Sequence, residues 1–334
     1  MTPPPRRVAV LGGGSWGTAF ACLAAGRGAQ VTLVCRTAAQ AAALAEAGRN
    51  ARYLPRVALP PGLAVAALED PAALAGAELV AAAVPSRTVA GLAEALAPRL
   101  APGAGVLSLS KGLDPAGGRR LSEVWTAALG PGHPFCVLSG PNHAEEVAEG
   151  QPTAAVAAGD GDLARRVQGF LTCERFRVYT NGDLAGVELC GAAKNVVAIA
   201  AGMSDGLGFG DNAKASLITR GLAEMTRLGR AAGAHDATFR GLAGMGDLVA
   251  TCTSRHSRNR RAGEMIARGA PPDDVEARLG QVAEGLWTVR RLLERADGLG
   301  VELPICAEVA HAVDGKPVAA CIRDLMNRAP AAEE

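Results

Sequence analysis

Apolar and polar positions follow two different periods along this chain. Arg7 to Leu11 is a short β-branched and apolar run that stops at glycines. Ser15 to Ala25 is small and apolar, and Gln30 to Cys35 is apolar again. Those runs predict strand, turn, helix and strand. Further strand-like runs occur at Leu79 to Val84, Gly105 to Ser110 and Pro134 to Leu138, and Ala/Leu-rich helical stretches at Thr37 to Ala47 and Thr88 to Arg99. Strands separated by helices imply a parallel, doubly wound sheet covered on both faces. From about Leu184 the period changes. Leu189, Ala192, Ala193, Val196, Val197 and Ala200 fall at helical spacing, and Ala215 to Ala232 and Val282 to Ala296 repeat it. The expected boundary therefore lies near residue 190, with residues 1–190 forming an α/β domain and 191–334 an all-helical one. The tail from Arg328 to Glu334 carries too little apolar surface to predict an ordered end.

The length of 334 residues is enough for two cores. With 34 basic and 33 acidic residues, a net charge of +1 and no basic run, the chain has nothing to track a nucleic-acid backbone. The longest apolar stretch, Leu184 to Met203, is interrupted by Glu188 and Lys194, so no transmembrane helix is expected. Arg6-Arg7 followed by Val8 to Ala25 loosely imitates a secretory signal, but Gly12, Gly13, Gly14 and Gly17 cut through its apolar part. Eight cysteines without a CxxC, and without a histidine at zinc-ligand spacing, read as reduced thiols of a cytoplasmic protein with no metal site.

Gly12-Gly13-Gly14-Ser15-Trp16-Gly17 fits GxGxxG directly after the first strand and before a helix. Glycines there allow the tight turn, the approach of a pyrophosphate and close helix packing, and the helix N-terminus offers N–H groups to the phosphates. The first domain thus reads as a Rossmann-type dinucleotide domain. At the end of its second strand stands Cys35-Arg36-Thr37, where an acidic residue would bind ribose hydroxyls. An arginine suits a 2′-phosphate, which favours NADP(H) and leaves NAD(H) open; an Arg36 that merely faces solvent is the alternative.

Four of the 34 basic residues are lysines, at 111, 194, 214 and 316. Arginine does not give up its proton in a protein, whereas a desolvated lysine does, as a carbinol-to-carbonyl oxidation requires. Lys194 lies in a run that is otherwise apolar or small, beside Asn195, and would face a cleft between domains; a solvated surface lysine is the other reading. Asp247 and Thr251 sit four apart, on one face if that segment is helical. Asp247 there either holds the Lys194 ammonium or caps a helix at a glycine turn. Ser257-Arg258-Asn259 opens a basic helical segment, either a phosphate pocket or an ordinary capped helix.

Four segments together resemble the NAD(P)-dependent glycerol-3-phosphate dehydrogenases of the bacterial type. They are Lys111-Gly112-Leu113; Leu138-Ser139-Gly140-Pro141-Asn142-His143-Ala144-Glu145-Glu146; Gly191-Ala192-Ala193-Lys194-Asn195-Val196; and Gly241 to Leu248, running on to Thr251-Cys252 and Ser257-Arg258-Asn259. The resemblance implies interconversion of sn-glycerol 3-phosphate and dihydroxyacetone phosphate, supplying glycerol 3-phosphate for phospholipid synthesis, by a homodimer. It implies Lys194 as proton acceptor and donor with Asp247, Asn195 and Thr251. Substrate contacts would come from Lys111, Gly140, Asn142, Lys194, Asp247, Ser257, Arg258 and Asn259. Cofactor contacts would come from Gly12, Gly14, Ser15, Trp16, Gly17, Arg36, Lys111, Ala144, Arg258, Val282 and Glu284. Asn142 and His143 depart from the small residue and Phe that many relatives have, and Trp16 replaces a frequent Tyr or Phe while keeping a stacking surface. Another dehydrogenase of the same plan, such as a ketopantoate reductase or a 3-hydroxyacyl-CoA dehydrogenase, is the enzymatic alternative, and a dinucleotide-sensing protein the alternative without turnover.

Overall fold

In the computed structural model, residues 3–330 and 332 are described, so Ala331, Glu333 and Glu334 of the expected loose tail lie outside the described residues. Arg328 is tied back by an ion pair to Glu302 at 2.9 Å. The chain forms two compact units, residues 1–110 with 121–184, and residues 111–120 with 185–334.

In the first unit, β1 (Arg7–Leu11), α1 (Ser15–Gly26), β2 (Gln30–Cys35) and α2 (Ala38–Ala47) begin the winding. A small ribbon, β3 (Arg49–Asn50) with β4 (Leu54–Ala58), precedes β5 (Ala64–Ala67). Then come β6 (Leu79–Ala82), α3 (Val89–Leu96), β7 (Gly105–Ser108), α4 (Leu121–Leu129) and β8 (Phe135–Ser139). The unit ends with α5 (Ala144–Ala148), β9 (Thr153–Gly159), α6 (Gly161–Leu171) and β10 (Phe176–Asn181). The eight-stranded sheet runs β10-β9-β8-β7-β6-β1-β2-β5. Strand order reverses between β1 and β6, the point where open α/β sheets bind ligands beyond their carboxyl ends. Val8, Val10, Leu33, Leu79, Leu107 and Leu138 from the strands pack with Phe20, Leu44, Phe170 and Leu171 from the helices.

The sheet departs from the all-parallel expectation at one edge, where β9 pairs antiparallel with β8 while β10 runs parallel to β9. A parallel return needs a crossover that packs on the sheet. The link after β8 holds only the five-residue α5, which lies in one cluster with α1 through Ala144 and Ala19. Neither β9 nor β10 is among the strands predicted from the sequence, although Phe176 to Thr180 of β10 is an aromatic and β-branched run. Thr-Ala-Ala-Val-Ala-Ala-Gly of β9 is alanine-rich, a composition that favours helix, and tertiary pairing overrides that preference.

The second unit is helical: α7 (Leu184–Gly206), α8 (Asp211–Ala231), α9 (Asp236–Arg240), α10 (Asp247–Thr253), α11 (Arg258–Ala267), α12 (Val275–Leu279), α13 (Glu284–Gly298), α14 (Pro304–Val313) and α15 (Val318–Met326). Where the sequence suggested a boundary near 190, one continuous helix begins at Leu184. It is long and apolar enough to cross a membrane, yet 89% of its most apolar window is buried within the protein. Every residue from Gly186 to Ser204 is buried, as expected of a helix apolar on all sides at the centre of a core.

Glycines bring α11 against α7. A Cβ on Gly202 would lie 1.8 Å from the Arg260 carbonyl oxygen, and one on Gly263 would lie 2.0 Å from the Ile199 carbonyl oxygen. Backbone atoms cannot yield as a flexible side chain can, so these contacts fix the spacing of the helices that carry Lys194 and Arg258. Replacing Gly202 with Ala would gain about 1 kcal/mol of helix propensity in isolation, but overpacking against backbone costs about 1–3 kcal/mol or more. The expected net result is a lower urea midpoint, read by loss of helical circular dichroism. A midpoint equal to or above that of the parent would show that the two helices separate without cost.

Candidate active site

The polar centre of the second unit is built on α7. Lys194 is 7% exposed. Its Nζ donates to Asp247 Oδ1 at 3.1 Å and to Thr251 Oγ1 at 2.7 Å. Lys111 Nζ donates to the other carboxylate oxygen, Asp247 Oδ2, at 2.6 Å. Thr251 Oγ1 in turn donates to the Asp247 carbonyl oxygen at 2.6 Å, the bond between residues four apart on one helical face. Its hydroxyl hydrogen is thereby used, so Thr251 presents a lone pair to Lys194.

Asp247 is the first residue of α10, where a carboxylate is favoured by the helix dipole. The cap position belongs to Gly246, and the two Asp247 carboxylate oxygens are turned to the two lysines. A π-helical turn, Leu242–Gly246, delivers it. A Cβ on Gly244 in that turn would lie 2.0 Å from the Phe239 carbonyl oxygen.

Electrostatics follow from burial and charge. Burial drives the Lys194 ammonium toward its neutral form, Asp247 opposes this and the Lys111 charge adds to it, leaving a pKa lowered to about 8. Burial pushes the Asp247 carboxyl up, but the ammoniums of Lys111 and Lys194 outweigh it and hold the group below the usual carboxylate range. Two ammoniums and one carboxylate leave one positive charge, a seat for an anionic or oxyanionic ligand.

A second polar chain joins three helices. Asn195 Nδ2 donates to Gly191 O at 3.1 Å, Asn259 Nδ2 donates to Asn195 Oδ1 at 2.9 Å, and Gly285 N donates to Asn259 Oδ1 at 2.9 Å. Asn259 keeps one amide hydrogen outside this chain. Ser257 caps α11, its Oγ accepting from Arg260 N at 3.2 Å, so the capping role raised by the sequence is real. Arg258 beside it is half-buried at the first turn of α11. Val282 precedes the cap of α13, and Glu284 is that helix's first residue.

The first unit holds the glycine loop. Gly12 has φ +106°, and a Cβ there would lie 2.4 Å from the Ala83 carbonyl oxygen beyond β6; one on Gly17 would lie 1.9 Å from Gly12 O. Around Gly14 a Cβ would meet no protein atom within 4 Å. The protein's own packing therefore does not require glycine at position 14, whereas a pyrophosphate lying on that backbone would. No acidic residue stands in the first turn of α1 to repel it. Ser15 and Trp16 open that helix, with the Trp16 ring edge-on to Phe20 at 6.2 Å. The loop thus fits the phosphates of a dinucleotide. Arg36 is exposed immediately after β2, before the helix that Thr37 caps.

Gly140, at φ +127°, and Asn142 follow β8. The Asn142 amide donates to Ala154 O at 3.0 Å, which supports the β8–β9 turn. Ala144 is buried with Ala19 and Leu54, so its methyl is taken up by packing.

Of the residues singled out by sequence, Lys111, Lys194, Asp247 and Thr251 are in direct contact, and Asn195 and Asn259 bond each other. Gly12, Gly14, Ser15, Trp16, Gly17, Arg36, Gly140, Asn142 and Ala144 belong to the first unit. Lys111 follows the carboxyl end of β7, where the run Gly105 to Ser110 places it, and it belongs to the helical unit. Sequence reasoning missed Gln40 and Asn50, which donate to Gly13 O at 2.9 and 3.1 Å and steady the loop. It also missed Asp205, which takes Lys214 at 2.7 Å and pairs with Arg260. These partners are distant along the chain and carry no local signature.

The titration of Lys194 is directly observable, because the four lysines give four signals after ε-¹³C labelling. Its loss of a proton near pH 8 should move lower still in Asp247→Asn, where the Lys111 charge acts without the compensating carboxylate. An unchanged or higher midpoint would mean that Asp247 does not hold this ammonium.

Residues 7–163 match the family described as NAD-dependent glycerol-3-phosphate dehydrogenase N-terminus, and residues 183–322 its C-terminus. The chain is 51% identical to a glycerol-3-phosphate dehydrogenase [NAD(P)+] of Thermus thermophilus over 98% of its length and 100% of that protein. To the protein of the same name in Prosthecochloris aestuarii it is 46% identical, over 98% and 99%. The solved glycerol-3-phosphate dehydrogenase of Coxiella burnetii is 37% identical with a TM-score of 0.93, covering 97% of this chain and 99% of that one. A ketopantoate reductase from Ralstonia eutropha, 19% identical with a TM-score of 0.60, shares the fold alone.

Proposed function

The chain belongs to the NAD-dependent glycerol-3-phosphate dehydrogenase family and is an NAD(P)-dependent oxidoreductase, and on that premise we propose how its residues divide the interconversion of sn-glycerol 3-phosphate and dihydroxyacetone phosphate. The observation that carries the assignment is the buried Lys194 ammonium held by Asp247 and Thr251. An ammonium has three hydrogens. Two are committed, to Asp247 Oδ1 and Thr251 Oγ1. The third is left for a substrate oxygen.

In reduction, Lys194 Nζ gives that third proton to the carbonyl oxygen as the carbonyl carbon is reduced, and the neutral amine keeps its bonds to Asp247 and Thr251. In oxidation the freed lone pair takes the proton of the secondary hydroxyl. When bound, the nicotinamide dinucleotide supplies or accepts the hydride. Lys111 holds the far oxygen of Asp247 and adds a positive charge that stabilises a developing alkoxide. Asn195 positions the site through its bonds to Gly191 and Asn259. Arg258, the uncommitted amide hydrogen of Asn259 and the N–H groups of the α11 first turn at Ser257 receive the substrate phosphate.

Gly12, Gly14, Ser15, Trp16 and Gly17 hold the pyrophosphate side of the dinucleotide in this proposal, and residues 1–190 and 191–334 divide cofactor from substrate binding. By resemblance to the family, the same reading takes substrate contacts from Gly140 and Asn142, and cofactor contacts from Lys111, Ala144, Arg258, Val282 and Glu284. Arg36 receives a 2′-phosphate, which favours NADP(H). Eight free cysteines support a cytoplasmic location. Phe209, Met245, Val249 and Trp287, each at least 42% exposed, support a homodimer. The product is the backbone of phospholipids, which is the use we assign to it.

Replacing Lys194 with Ala should reduce turnover at least about 10²-fold, the usual contribution of general acid–base catalysis, with little change in dinucleotide affinity. In the parent, reduction should decline and oxidation rise as pH passes about 8, because one needs the ammonium and the other the amine. Near-normal turnover of the variant across pH would remove Lys194 from the chemistry.

Changing Arg36 to Asp should turn preference from NADPH toward NADH. One lost charge-assisted contact to a 2′-phosphate is worth roughly 1.5–3 kcal/mol, or about 10- to 150-fold in the ratio of kcat/KM values. That ratio is compared at one ionic strength, since exposed contacts are screened. A ratio within about twofold of the parent places Arg36 outside the adenosine pocket.

A further inference from the structure

Two charges interrupt the apolar run of α7, and the proposed reaction uses only Lys194. The other, Glu188, is 8% exposed. A carboxylate that deep is costly unless paired. It forms an ion pair with Arg120, whose Nη1 lies 3.5 Å from Glu188 Oε2. Arg120 closes a strap, Lys111–Arg120, that leaves the chain of the sheet after β7 and belongs to the helical unit.

The strap is braced internally. Asp114, 1% exposed, accepts from Arg119 Nε and Nη2 on one oxygen at 3.1 and 2.9 Å and from Ala116 N on the other at 3.3 Å. Asp114 N donates to Arg119 O at 3.0 Å, and Leu113 pairs with Arg120 as an antiparallel bridge. Near its Arg120 end, Arg295 of α13 donates to Gly118 O at 3.3 Å. A loop so closed moves as one body. Fixing its Arg120 end therefore places its Lys111 end, which meets Asp247 at 2.6 Å.

We propose that the Glu188–Arg120 ion pair positions the active site, seating the strap on α7 so that the Lys111 ammonium is held against Asp247. Both are positioning residues; the role they serve rests on the reading of Lys194 given above. Lys194 faces Asp247, Thr251 and Cys252 of α10 and Lys111 of the strap. Among these, Lys111 is the one whose place depends on Glu188. Its charge lowers the proton affinity of Lys194, so a strap set loose leaves Asp247 to hold the Lys194 proton more firmly.

The test uses the full-length enzyme with Glu188→Gln, Arg120→Gln and the combined variant. Each is acylated briefly with an amine-reactive acetyl donor at one pH, and the four lysines are quantified by mass spectrometry. Lys111 should label about threefold faster or more relative to Lys214 and Lys316, the size of effect expected for coupled neighbours, and the combined variant should label no faster than a single one. The ε-¹³C titration of Lys194 should move to higher pH in the same variants. Arg120, the more exposed partner, is the variant to rely on if Glu188→Gln folds poorly. Lys111 labelling that stays at the parent ratio, a rise shared by all four lysines, or a Lys194 titration that does not move overturns the proposal. Neither readout needs turnover, so the inference and the catalytic assignment, decided by Lys194→Ala, can fail separately.

Discussion

An ammonium taken out of water must be compensated, and the second unit is arranged around that requirement. Removing one ion from water costs several kcal/mol even after relaxation. At Lys194 the compensation is incomplete: burial lowers its pKa from the ordinary 10.5 to about 8, a residual cost of roughly 3 kcal/mol in the protonated state. Between those two values the unfolded chain binds more protons than the folded one, so stability from this group rises with pH across the window and its cost is full below pH 8. A chain selected for stability alone would place an apolar residue there. In the proposed reaction that cost leaves a lysine able to exchange its proton at about pH 8.

What offsets such a cost is packing in the same helix. With Gly186 to Ser204 buried throughout, α7 is held on all sides, and the glycine contacts at 202 and 263 leave α11 little freedom to slide. The Asn195–Asn259–Gly285 chain adds directional bonds across the same crossing. Lys194 and Arg258 are thereby placed by backbone spacing, which is stiffer than side-chain contact. Proton transfer is sensitive to errors on the order of 1 Å, so rigid helices are a better base for it than loops.

The sequence made the first unit legible where apolar runs were punctuated by glycine: β1 and β2 fall at the predicted residues, and Thr37 caps the helix after β2. It was silent on β9, whose alanines carry no strand preference, and on its antiparallel pairing, which depends on the short link before it. Lys194 and Asp247 stood out because a lone charge in an apolar run and a spacing of four are local signals. Gln40, Asn50, Asp205 and Arg120 did not, since each acts on a group made near only by folding. Lys111 was visible as a residue but not as a member of the helical unit, because ten residues that leave one unit for another look like any other loop.

The choice of lysine at position 111 has a geometric reason in a chain where 30 of the 34 basic residues are arginines. Asp247 has two carboxylate oxygens and must serve two cations. An arginine at 111 would offer a planar fork that matches both oxygens at once, competing with Lys194 for Oδ1. A lysine is a point charge and takes Oδ2 alone, at 2.6 Å. That leaves Oδ1 to Lys194, at 3.1 Å, the longer and weaker of the two bonds. In the proposed reaction, the lysine assigned the proton is therefore the one this carboxylate holds less tightly. The same carboxylate serves both lysines, each through one oxygen.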